Sequence, residues 1–199
     1  MKKRMLQMMM VYVLAPLLFV GMTLAGCECI RFNWLMMLFA AVACPIATLT
    51  VALIMKQFGL LSSGINFEVI RKLKDVAWGY IILAGLEDVL FITPILFMPS
   101  LPLAIFVTCI NAYIFIQLHS DSYGLTASIP KGVYVIVAAF FAMKYGLLTV
   151  MVAHSLIDTI LFGILKLSLI VAEKKGMTVD AIIDIFKKAD FNNFKSLSN

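Results

Sequence analysis

Residues 84–93 read AGLEDVLFIT, which places two adjacent carboxylic acids, Glu87 and Asp88, inside an apolar run. An ionisable side chain at the centre of a bilayer costs at least ~2.5 kcal/mol, so such residues are functional candidates by default. Further polar sites interrupt apolar runs at His119 and at the pair His154 and Asp158. The chain has only two histidines, and both lie in these sites. The acidic pair and the histidines are therefore the first candidates for a functional site.

The composition around this stretch predicts an all-α, polytopic membrane protein. Of the 199 residues, 63% are hydrophobic and only 14% are charged, and the mean hydropathy is +1.03. Apolar runs of about 18 residues or more recur along most of the chain, and such runs are typical of transmembrane helices. We expect one membrane domain with about six transmembrane helices.

The predicted spans follow one another with short connections, at residues 5–25, 34–55, 78–98, 103–117, 133–142 and 147–171. The fourth extends at most to about Tyr123, and residues 124–131 are expected to form a short loop. The first segment also resembles a signal sequence, and Leu24-Ala25-Gly26-Cys27 resembles a lipoprotein cleavage box. We expect a retained helix because the run exceeds the roughly 7–15 apolar residues of a signal core. Whether the box is processed stays open.

The charge distribution predicts the orientation in the membrane. With the N-terminus in the cytoplasm, only Arg31 and Lys144 of the 16 basic residues fall outside, as the positive-inside rule requires. Both termini are therefore predicted to be cytoplasmic, in a cell (inner) membrane. The net charge of +5 reflects the residues that flank the spans, so we expect membrane lipid and no nucleic acid as a partner.

The chain divides into three predicted parts within the single membrane domain. Residues 1–76 hold the N-terminal transmembrane helices and a juxtamembrane helix over 56–76, which lies along the membrane surface. Residues 77–172 form the core that contains the polar sites. Residues 173–199 form a cytoplasmic amphipathic tail, whose apolar residues recur at helical spacing.

The spacing of the polar residues indicates hydrolytic chemistry. Residues four apart share a helix face, so Phe115 lies beside His119, and Asp158 is positioned to orient the His154 imidazole. Three helices can then bring a carboxylate and two imidazoles into one polar cavity. There a carboxylate can act as a general base for water, and a histidine can donate to the developing oxyanion.

The three sites also resemble, in order and spacing, the motifs of a family of intramembrane proteases. The family is the CPBP endopeptidases (CAAX protease and bacteriocin-processing, also called Abi), with the patterns Glu-Glu-x3-Arg, Phe-x3-His and His-x3-Asn/Asp. The corresponding stretches here are Glu87-Asp88-x3-Ile92, Phe115-x3-His119 and His154-x3-Asp158. The resemblance covers about residues 78–162 and implies a helical core of CPBP type.

The resemblance implies a role for each matched residue. Glu87 activates the hydrolytic water with help from His154, and His119 lies on the oxyanion side. Asp158 completes the site, and Asp88 stands beside the catalytic glutamate. The implied substrate is a prenylated, membrane-associated or bacteriocin-like peptide. The glutamate-type mechanism requires no cofactor, and zinc stays open because histidine and carboxylate side chains are also zinc ligands.

The chain departs from the family pattern at two positions. Asp88 replaces a glutamate and is shorter by one methylene, and Ile92 occupies the arginine position. Without that cation, Asp88 is expected to be protonated or paired elsewhere, with Lys144 as a distant substitute.

Two alternatives to protease activity follow from these departures and from the polar residues themselves. One is a catalytically weakened immunity or scaffold protein, and the other is a proton-coupled transporter that uses the ionisable groups as a relay. For each polar residue taken alone, an interhelical hydrogen bond without a catalytic role is the simplest interpretation.

Overall fold

The computed structural model describes residues 9–61, 73, 76–178 and 180–181, and the regular structure within these ranges is entirely helical. A π-helical turn, Met10–Leu14, leads into the first helix. The α-helices are α1 (Ala15–Leu24), α2 (Trp34–Gln57), α3 (Trp78–Ile82), α4 (Leu86–Leu96), α5 (Leu101–Tyr123), α6 (Leu125–Tyr145) and α7 (Leu147–Lys174). The predicted all-α class is confirmed for the described residues. The predicted juxtamembrane helix and amphipathic tail lie largely outside them.

Four helices are long and apolar enough to cross a membrane: α2, residues 101–120 of α5, α6 and α7. Each has 20 or more residues, and about 20 are needed to cross the hydrocarbon core. Large apolar side chains such as Phe39, Phe106 and Ile164 are exposed on these helices, as expected of surfaces that contact lipid. These four helices therefore indicate a helical membrane protein, and the count of six spans stays a prediction.

The span predicted over residues 78–98 is broken into α3 and α4 at residues 83–85. At this break, Gly85 lies directly against α7. A Cβ atom on Gly85 would collide with the backbone carbonyl of Met151, and the Gly85 N–H donates to Ser155 Oγ at 3.1 Å. Glycine permits this approach because it has no side chain. The break places Glu87 and Asp88 in the first turn of α4, where the partial positive charge of a helix N-terminus favours carboxylates.

The loop predicted over residues 124–131 is wrong. Gly124 alone, with φ of +81°, separates α5 from α6, and the next helix begins at Leu125. Ser128 Oγ donates to the Gly124 carbonyl at 2.9 Å. The presence of Gly124 and Pro130 in this stretch suggested a turn, but Pro130 lies inside the helix. As a consequence, Lys131 belongs to α6 rather than to a connection.

Contacts at the two ends of α7 fasten the bundle. At its start, the Leu147 N–H donates to the Cys29 carbonyl at 2.8 Å, and Thr149 Oγ1 accepts from the Asn33 N–H at 2.9 Å. Toward its other end, Lys166 Nζ donates to the Val76 carbonyl at 2.8 Å. The loop after α1 and the α6–α7 turn therefore share one end of the bundle, while the start of α3 lies toward the other end.

Candidate functional site

Asp88 is the most enclosed of the candidate residues and joins α4 to α6 and α7. Its side chain is 1% exposed. Tyr134 of α6 directs its hydroxyl at both carboxylate oxygens, 2.9 Å from Oδ2 and 3.2 Å from Oδ1. His154 Nδ1 lies 3.3 Å from Oδ2, yet this buried nitrogen has no hydrogen bond of good geometry. We therefore describe the Asp88–His154 contact as electrostatic, since hydrogen bonds weaken steeply when misaligned.

This arrangement corrects the expected partner of the imidazole. The carboxylate in contact with His154 is Asp88 from a neighbouring helix, whereas Asp158, one turn further along α7, acts on the ring over a longer range. The reason is that the break at Gly85 lets α4 approach α7 closely. Asp88, which was expected to find another partner in the absence of the family's arginine, contacts Tyr134 and His154.

Glu87 and Asp158 are partly exposed and interact electrostatically with a cation from α6, Lys131. Ile92 at the arginine position is fully buried in the apolar core, so no positive charge comes from α4 at this point. Lys144 is 13 residues further along α6 than Lys131, about 20 Å at 1.5 Å per residue. Its ammonium lies over the Tyr145 ring instead. Among the described residues, the lysine that interacts with Glu87 and Asp158 is therefore Lys131, and Lys144 is not in place as the distant substitute suggested for Asp88.

His119 lies one turn after Phe115 on α5, as the spacing predicted. Its Nδ1 donates to the Phe115 carbonyl at 2.9 Å, which assigns the proton of the neutral ring to Nδ1 and leaves a lone pair on Nε2. Electrostatic interactions connect His119 with Lys131 and His154. A neutral ring in this state accepts a proton at Nε2, so donation to an oxyanion requires the doubly protonated ring.

Aromatic rings connect the three motifs. Phe91 meets the Phe115 ring edge-on with centroids 5.0 Å apart, and Phe115 stacks at 6.3 Å on Tyr134. Tyr134 in turn lies 4.6 Å from the His154 ring. Asn111 fastens α5 to α4, because its Nδ2 donates to the Phe91 carbonyl at 2.7 Å. The ionisable groups therefore lie beside a packed aromatic wall.

Sequence reasoning missed two residues of this cluster, Tyr134 and Lys131. A signal for Tyr134 existed, since a tyrosine within an apolar span needs a partner for its hydroxyl when it is buried. Lys131 was missed because its segment was assigned to a loop.

Zinc stays a prediction at this site. Among the residues that the structure describes, no three His, Cys, Asp or Glu side chains are arranged to hold a metal ion. The Nδ1 atoms of His119 and His154 face the Phe115 carbonyl and Asp88, respectively.

No protein-family model, curated protein or solved structure matches this chain. The resemblance to the CPBP proteases rests on the three motifs alone and stays a prediction.

Proposed function

We propose that this chain is an intramembrane endopeptidase of CPBP type, which hydrolyses a peptide bond in a membrane-associated, prenylated or bacteriocin-like peptide. The observation that carries the proposal is the convergence of ionisable groups from separate helices. Glu87 of α4 interacts electrostatically with His154 and Asp158 of α7 and with Lys131 of α6. Such a cluster is costly within a membrane and is typical of a functional site.

Glu87 is the general base of the proposed reaction. It is less enclosed than the adjacent Asp88, so we assign the water-activating role to Glu87. Glu87 takes a proton from the water while the water oxygen bonds to the scissile carbonyl carbon. When the C–N bond breaks, the same carboxylic acid returns the proton to the leaving amine.

His154 and Lys131 balance the charge of the carboxylates. Asp88, 3.3 Å from His154 Nδ1, can compensate the positive charge that the ring gains when it assists proton transfer. Lys131 offsets the mutual repulsion of Glu87 and Asp158. His119 stands on the oxyanion side of the proposed site, where its neutral ring accepts a proton at Nε2, and Asp158 completes the polar lining.

Ile92 favours a second candidate, a CPBP-like immunity or scaffold protein with little or no catalysis. Its side chain is 0% exposed and packs in the apolar core, so the family's charged position has become a packing position. Such a protein would bind hydrophobic peptides without cutting them.

The deciding experiment uses the full chain purified and reconstituted in liposomes, incubated with a mixture of farnesylated and unmodified hydrophobic peptides. Mass spectrometry detects cleavage. We expect Glu87→Gln to lower the rate at least about 10²-fold, the usual contribution of a general base. Glu28→Gln is the matched control, because Glu28 is exposed in the loop after α1, and it should leave the rate unchanged.

Equal cleavage by the wild type and Glu87→Gln would refute the assigned base. If the wild type cleaves no peptide but binds the same peptides as tightly as Glu87→Gln does, the immunity or scaffold candidate replaces the protease. Size-exclusion profiles and melting temperatures of the variants establish that the comparison concerns folded protein.

A further inference from the structure

Asp88 is held from two sides, by a hydroxyl from α6 and a ring nitrogen from α7. We propose that Tyr134 is a positioning residue of this site, which holds Asp88 against His154 and thereby determines which nitrogen of that ring is available for proton transfer. The catalytic meaning of this inference rests on the proposed protease function. The positioning itself can be measured without any cleavage.

The Asp88 carboxylate is enclosed by the protein. A buried carboxylate needs partners for its oxygens, because the low dielectric of its surroundings makes unsatisfied polar groups costly. Tyr134 is the hydrogen-bond donor that meets both oxygens, at 2.9 and 3.2 Å, and it is itself buried. A donor shared between the two oxygens restrains rotation of the carboxylate. The hydroxyl of Tyr134 therefore determines where Oδ2 lies.

The position of Asp88 Oδ2 affects the His154 imidazole. The atom lies 3.3 Å from His154 Nδ1. An anionic oxygen at this distance attracts a proton on Nδ1 and repels a lone pair there, so the neutral ring carries its proton on Nδ1. Nε2 then holds the lone pair and is the nitrogen that can accept a proton.

The preference of His154 for a proton on Nδ1 depends on Tyr134. A well-aligned hydrogen bond between Asp88 and His154 would hold the carboxylate in place without help from Tyr134. His154 Nδ1 has no hydrogen bond of good geometry, so direction alone does not hold the carboxylate to the ring. Removal of the hydroxyl should let Asp88 turn and should weaken the preference for the Nδ1 proton.

The test exploits the two histidines of the chain. The full-length protein is labelled with 15N-histidine in detergent micelles, and the ring 15N shifts are recorded up to a pH at which the rings are neutral. His119→Gln assigns the remaining signals to His154. We expect the wild type to show a protonated Nδ1 on His154, and Tyr134→Phe to move both ring nitrogens toward the averaged shifts of a tautomer mixture.

Two further variants control for packing and folding. Tyr145→Phe makes the same chemical change at the other end of α6 and should leave the His154 shifts as in the wild type. Asp88→Asn removes the charge that Tyr134 positions, and it should move the His154 shifts in the same direction as Tyr134→Phe. This second variant keeps the test decisive if Tyr134→Phe folds poorly.

The positioning role is overturned if Tyr134→Phe, or Asp88→Asn in its place, leaves the His154 shifts unchanged. In liposomes, the role predicts that Tyr134→Phe lowers kcat about tenfold with little change of KM. If cleavage depends on Glu87 but Tyr134→Phe leaves the His154 shifts unchanged, the positioning role is refuted and the protease function is still supported. Shifted His154 signals in a protein that cleaves nothing would support the positioning and refute the protease function.

Discussion

Replacement of Gly85 by alanine tests whether the break between α3 and α4 brings the acidic pair to α7. A Cβ at this position would lie 2.7 Å from the carbonyl carbon of Met151 and 2.8 Å from Ser155 Oγ, whereas ordinary contacts begin near 3.4 Å. The Met151 atoms belong to the backbone of α7, which cannot move aside as a side chain can. The start of α4 must therefore shift by roughly 0.7 Å or more, the difference between these contact distances.

The expected loss of stability follows from two contributions. Overpacking typically costs about 1–3 kcal/mol, and weakening of the Gly85–Ser155 hydrogen bond adds about 0.5–1.5 kcal/mol. We therefore expect Gly85→Ala to destabilise the protein by roughly 2–4 kcal/mol. A displacement of about 1 Å can also lower catalysis about 10²-fold, so peptide cleavage should fall with stability.

Thermal unfolding in detergent, followed by circular dichroism, measures this loss against a matched variant. Gly79→Ala makes the same change in α3, where an added Cβ meets no atom within 4 Å, and it should melt at or slightly above the wild-type temperature because alanine favours helix. If Gly85→Ala and Gly79→Ala have the same melting temperature, the close approach of α4 to α7 is not what positions Glu87 and Asp88.

Two further predictions concern a charge and a buried hydroxyl. Lys131→Met should lower peptide cleavage about tenfold, equivalent to about 1.4 kcal/mol, because Glu87 loses a cation that interacts with it. Lys144→Met, at the other end of α6, should leave cleavage in the liposome assay unchanged. Equal effects of the two variants would contradict the assignment of Lys131 as the compensating cation. Thr149→Val should lower the free energy of unfolding by about 0.5–1.5 kcal/mol, because the Asn33 N–H loses its acceptor, the hydroxyl of the buried Thr149. Thr50→Val is the comparison in chemical denaturation, since that hydroxyl is exposed and bonds only within its own helix; equal losses would show that the loop contact contributes nothing.

The parts of the fold that could be predicted from the sequence are those that depend on neighbouring residues. The apolar run from Trp34 predicted α2 to within two residues of its end, because span length follows from bilayer thickness. The four-residue spacing placed His119 beside Phe115, and their ring centroids are 4.2 Å apart. Both statements need only helix geometry and local composition.

The remaining features depend on residues far apart in the chain. At the break, Gly85 packs against Met151 and Ser155, about 70 positions away, and nothing in the local sequence identifies these partners. The contact of Asp88 with Tyr134 spans 46 positions. A motif records which residues are present on each helix, but the packing of one helix on another decides which of them meet.

Charge balance is where this distinction matters most for function. In the family pattern, the compensating cation stands on the same helix as the acidic pair, so a motif comparison interprets Ile92 as a loss. Here Lys131 interacts with Glu87 and Asp158 from α6, while Asp88 is paired with Tyr134 and His154. A buried cluster requires that its charges be compensated, not that a particular helix compensate them. Under the proposed function, isoleucine at position 92 therefore argues for a rearranged site as strongly as for an inactive one, and removing the charge of Lys131 separates the two.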